Sequence, residues 1–130
     1  EMLSLNPLQN IGIDLLFVDA EDMGRSGDLD NFSIGTKLFS KSLENPYPQL
    51  AICLDMVADK DLSIKMEKYS YQMAPQLMNH IWNLSYTMGY DVFQWETGPA
   101  IIDDHLSFSS ITKIPSINLI DFSIYTKSSS

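Results

Sequence analysis

Four short apolar runs punctuate the chain, and each stops on an acid. In the first, Ile13-Asp14-Leu15-Leu16-Phe17-Val18 gives way to Asp19-Ala20-Glu21-Asp22. A continuous Leu-Leu-Phe-Val run suits a strand buried on both faces, as in the middle of an α/β sheet, and predicts a strand from Ile11 to Asp19. Gln49 to Val57 reads as a second buried strand, with Asp55 near its end. Asp61 to Met66 alternates Leu62, Ile64 and Met66 with polar residues, the pattern of a short half-buried edge strand. Asp91 to Thr97 is a strand or a loop holding Trp95, and Pro115 to Asp121 is a final strand.

Between these runs the period changes to that of helices. Ile34, Leu38 and Phe39 with Lys37 and Lys41 predict a short amphipathic helix over 34–43, stopped by Asn45-Pro46-Tyr47-Pro48. Met73, Leu77, Ile81, Leu84 and Met88, with Met78 and Trp82 beside them, predict the longest helix. Ser70 stands near its cap, Pro75 in its first turn and Gly89 at its C-terminal stop. Such a stripe of methionines and aromatics belongs to a core. Residues 1–10 read as a helix end with a turn at Asn6-Pro7, and 23–33 as a loop rich in Gly, Asp and Asn. Strands alternating with helices predict one α/β domain with an open, largely parallel sheet flanked by helices.

Composition narrows the function classes. The chain has 130 residues, 45% of them hydrophobic, enough to fill one core. A net charge of −9 argues against nucleic acid and against an anionic membrane surface as partners. The only cysteine, Cys53, lies within Leu50-Ala51-Ile52-Cys53-Leu54. That excludes an intrachain disulfide and a thiolate zinc cluster, and predicts a buried structural thiol. No apolar run reaches the length of a membrane span.

The acids carry the candidate chemistry. Asp19/Glu21/Asp22, Asp55 and Asp103/Asp104/His105 follow strand-like runs, and in a parallel sheet such ends share one edge, where α/β folds bind ligands. Adjacent carboxylates there can divide the work between a proton-transferring base and a metal ligand. The same acids also fit turns and helix caps.

Three ordered motifs carry a resemblance: Phe17-Val18-Asp19-Ala20-Glu21-Asp22, Leu54-Asp55-Met56-Val57 and Ile102-Asp103-Asp104-His105. Asp61-Leu62-Ser63-Ile64 followed by Glu67-x-Tyr69-Ser70, Ala74-Pro75 and Ile114-Pro115 support it. In order and spacing they resemble the zinc aminopeptidases and their relatives the glutaminyl cyclases, most of all the bacterial glutaminyl-cyclase-like members. The resemblance implies a zinc-exopeptidase-like fold and an enzyme acting on peptide N-termini, by aminopeptidase-type hydrolysis or by glutaminyl cyclisation. It assigns Glu21 as the general base or acid and Asp22 as a zinc ligand. Asp55 would bind a second zinc ion or join a carboxylate network, and Asp103 would complete that network. His105 would take a structural or supporting role. Members are usually exported, which implies an exported or periplasmic location.

The chain also departs from the family pattern. Nothing before Ile11 matches the family's upstream ligand, and Asp121-Phe122-Ser123-Ile124-Tyr125-Thr126-Lys127 lacks the histidine of a Trp-His-Thr type motif. Phe32 and Ile34 stand where cyclases carry a Trp-Cys-Leu-Gly type stretch, whereas Asp22 in place of a glutamate ligand leans toward the cyclases. A protein zinc site needs about three protein ligands. The expectation is therefore the later portion of a catalytic domain whose upstream and downstream segments complete the zinc site. The alternative is a truncated or degenerate homologue without catalytic function.

Overall fold

The computed structural model describes residues 10–19 and 32–123. In chain order the elements are α1 (Ile34–Ser42), β1 (Ala51–Asp55), β2 (Ile64–Met66), α2 (Lys68–Met73), α3 (Pro75–Thr87), β3 (Phe93–Thr97), α4 (Asp104–Thr112) and β4 (Ser116–Ile120). β1 pairs in parallel with β4, Ala51 opposite Ser116 and Asp55 opposite Ile120. β2 pairs in parallel with β3, with a register irregularity between Ile64 and Met66. An antiparallel bridge from Ile64 to Asp121 links the two pairs. This is the expected α/β class with parallel strands flanked by helices.

The core forms where the two pairs meet. Ile64, Met66, Met78, Trp82 and Ile117 are buried together, with Leu77, Ile81 and Phe93 packed around them. Trp82 is completely buried. Its indole Nε1 donates to the Gln94 carbonyl at 2.7 Å, and its ring meets Phe93 edge-on at 5.1 Å. The methionine and aromatic stripe is core, as expected, but Leu84 and Met88 at its far end are exposed.

Two expected elements change form. The long helix is split: α2 ends at Met73, Ala74 leaves helical geometry, and Pro75 opens α3. Proline at the first position costs no hydrogen bond, but it disfavours helical geometry in the residue before it. The cap of α2 is Glu67, whose carboxylate accepts the Tyr69 and Ser70 amides, rather than Ser70.

The strand expected over Ile11–Asp19 is not formed. Residues 10–19 make no ladder and are exposed throughout, Phe17 at 94%. A strand needs a neighbour to satisfy its backbone, and none lies beside this segment among the described residues. Its end is nevertheless anchored, because the Asp19 carbonyl accepts the Gly35 amide at 3.2 Å in the first turn of α1. A Cβ on Gly35 would lie 2.5 Å from that oxygen, so this close approach requires glycine.

β1 is also less buried than its sequence suggests. Leu50, Ile52, Leu54 and Met56 share one face by their period of two, and all are exposed. Cys53, expected to be buried, is half-buried on the opposite face.

Candidate functional site

A helix that feeds a parallel strand runs antiparallel to it, so its N-terminus lies above the C-terminal strand ends. α4 feeds β4 in this way and packs against both β1 and β4. Asp103, at the N-cap of α4, therefore reaches Asp55, the last residue of β1. Two of the expected site residues meet, and their side chains are hydrogen-bonded. Glu21 and Asp22 lie outside the described residues, so their expected roles rest on the resemblance alone.

The pair's electrostatics follow from its surroundings. Burial, the Asp103 charge and the hydrogen bond to Asp103 push the Asp55 carboxyl up to about 6, against a smaller opposing effect of the Met56 amide. Asp103 is buried, and both its oxygens take N–H donors: Oδ1 the Asp104 amide at 2.7 Å and Oδ2 the Asn118 side-chain amide at 2.8 Å. The helix-capping reading of Asp103 holds, since its Oδ1 caps α4.

A third acid, Glu67 of the Glu67-x-Tyr69-Ser70 stretch, is linked to the segment that carries Asp103. Glu67 is fully buried, and its carboxylate accepts the Tyr69 amide at 2.8 Å, the Ser70 amide at 2.8 Å, the Ile101 amide at 3.0 Å, the Ser70 hydroxyl and His105 Nε2 at 3.0 Å. Burial pushes its carboxyl up, but the hydrogen bonds outweigh burial and bring it down to about 2. His105 thus supports Glu67, in keeping with the structural role expected for it. Asp121 plays a separate part, accepting the Ser63 amide, the Ser123 amide and the Ser123 hydroxyl where β4 ends.

Among the described residues, Cys53, Asp103 and Asp104 place donor atoms within 4.8 Å of one another. Asp103 already accepts an N–H on each oxygen, and Asp55, the expected ligand, is not among the three. The described residues by themselves do not fit a zinc ion.

Solved structures with this architecture include Porphyromonas gingivalis glutaminyl cyclase, at 31% identity and a TM-score of 0.80 over 92% of this chain and 43% of that one. A zinc-dependent exopeptidase from Parabacteroides distasonis matches at 31% identity and a TM-score of 0.73, over 82% of this chain and 39% of that one. A leucine aminopeptidase precursor from Bacteroides thetaiotaomicron matches at 26% identity and a TM-score of 0.84, over 94% of this chain and 45% of that one. The chain belongs to the zinc exopeptidase and glutaminyl cyclase family. It spans less than half the length of these structures. No protein-family model and no curated protein sequence matches it. Among the described residues, no helix is long and apolar enough to cross a membrane.

The family signals legible in the sequence were the acids at strand ends. The signal for Glu67 was its place two and three residues before Tyr69 and Ser70, the spacing of an N-cap. Asn118 carried none, because a polar residue inside an apolar strand shows its purpose only once its partner is known.

Proposed function

We propose that the chain supplies the carboxylate network of a zinc-dependent enzyme acting on peptide N-termini, with glutaminyl cyclisation favoured over aminopeptidase-type hydrolysis. The observation that carries this reading is the meeting of Asp55, at the end of β1, with Asp103, at the N-cap of α4, which raises the Asp55 carboxyl to about 6. A metal ligand is best served by a carboxyl that ionises readily, whereas one raised by a neighbouring carboxylate suits the network expected of a single-zinc cyclase. In cyclisation the substrate's α-amine attacks its own side-chain amide and expels ammonia, so a proton must leave the amine and reach the departing nitrogen. Glu21 would carry that proton, and the Asp55–Asp103 pair would hold its carboxylate environment steady. Asp22 would contribute to zinc binding.

The uncovered face of Leu50, Ile52, Leu54 and Met56 supports further polypeptide of the same domain as its occupant, since an apolar patch of this kind marks a packing surface. The alternative, a homologue without catalytic function, draws on the incomplete donor set among the described residues.

The test is turnover of N-terminal glutaminyl peptides against leucyl anilides, with and without added zinc. Pyroglutamate formation that disappears in Glu21→Ala and Asp103→Asn is expected. Turnover that survives Glu21→Ala removes the assigned base, and anilide cleavage without pyroglutamate overturns the cyclase branch. No turnover of either substrate favours the non-catalytic alternative.

A further inference from the structure

Burying a carboxylate is costly, and a helix as short as α2 can be capped by a serine or aspartate at its surface. Glu67 is instead fully buried, and its donors come from three different segments. Tyr69 and Ser70 belong to α2, Ile101 to the connection before α4, and His105 to the first turn of α4. Two routes lead from it to Asp103. On one, the Ser70 hydroxyl donates to Glu67 and accepts the Asn118 amide at 2.9 Å, while the Asn118 side chain donates to Asp103 Oδ2 at 2.8 Å. On the other, Ile101 and His105 bracket Asp103 in sequence, two residues to either side, and both are tied to Glu67.

We infer that Glu67 is a positioning residue for the Asp55–Asp103 pair, acting through Ser70 and Asn118 on one side and through Ile101 and His105 on the other. The inference rests on the proposed function only for what the pair does; the geometry is independent of it. A carboxylate is needed because all five contacts are accepted by its two oxygens. An amide in its place has one acceptor oxygen and an NH₂ group that faces donors.

The test is NMR of the isotope-labelled full chain, following the Asn118 side-chain NH₂ and the Asp104 backbone amide, the two donors on Asp103. In Glu67→Gln both resonances are expected to shift, and their hydrogen-exchange protection to fall at least tenfold more than in Trp82→Phe, a destabilised control whose only side-chain hydrogen bond goes to Gln94. Ser70→Ala cuts only the first route, so the Asn118 signal should respond and the Asp104 signal should stay. This variant decides the matter if Glu67→Gln does not fold. Loss of protection matching the control in both variants, or unchanged resonances, would overturn the inference and leave Glu67 as a helix cap. If the protein turns over glutaminyl peptides, kcat should fall about tenfold in Ser70→Ala at unchanged KM, and an unchanged kcat would overturn the positioning role. Absence of turnover in the unaltered protein bears on the proposed function, while the resonances still decide the inference.

Discussion

Replacing Asp55 by asparagine isolates the titration of this carboxyl. The asparagine keeps the size of the side chain and an N–H that can donate to Asp103, but removes the titratable group. Asp55 is raised from the ordinary 3.8 to about 6, so folding favours its protonated form. The stability associated with that form is fully present below pH 3.8 and is lost as the pH rises through about 6. At 1.36 kcal/mol per pH unit the interval sets a ceiling of about 3 kcal/mol. Asp55 is only half-buried, and solvent screening brings the expected effect to roughly 1–1.5 kcal/mol. Relative to Asp55→Asn, the unaltered chain should therefore lose roughly 1–1.5 kcal/mol between pH 4 and pH 7. Urea unfolding followed by circular dichroism at several pH values reads this directly. With a slope of about 1–3 kcal/mol per molar, the midpoints should separate by roughly 0.3–1.5 M at pH 7 beyond their difference at pH 4. A difference that does not change with pH refutes the raised Asp55 carboxyl. A change of opposite sign would mean that Asp55 is held as a carboxylate, as a metal ligand or ion-pair partner would be.

Two further substitutions test the packing that carries the site. Trp82→Ala should cost about 3–5 kcal/mol, since it empties a fully buried position, removes the edge-on contact with Phe93 and strands the Gln94 carbonyl; chemical denaturation measures it, and a cost under about 1 kcal/mol would show that the core lies elsewhere. Gly98→Ala would put a methyl group 2.9 Å from the Phe122 ring, which is buried and cannot swing aside, so a loss of about 1–3 kcal/mol is expected in the same assay, and neutrality would refute the tight contact.

Local pattern accounted for much of the architecture. The helical period of Met78 and Trp82, the proline at the start of α3 and the apolar run of β4 are properties of neighbouring residues, so they could be read without knowing the fold. The run from Ile11 to Val18 shows where such reading stops. Its composition is that of a buried strand, but burial is a relation between segments, and no described residue covers this one. The split between α2 and α3 is intermediate: the proline was visible, but not that the chain would leave helical geometry at Ala74.

The sequence by itself determined the class of the fold, most of its strands and helices, and the acids that end the strands, but not the helix α4 or the exposure of the run from Ile11. It also carried the motifs by which the family is recognised. Tertiary structure alone decided which acids meet. Asp55 and Asp103 are 48 positions apart, and they join because α4 runs back over the sheet to feed β4 beside β1. Glu67, Ser70, Asn118 and His105 become one network only when α2, α4 and β4 pack together. Hydrophobic and helical periods are written in neighbouring residues, whereas a hydrogen bond between distant side chains exists only after the backbone has brought them within 3 Å.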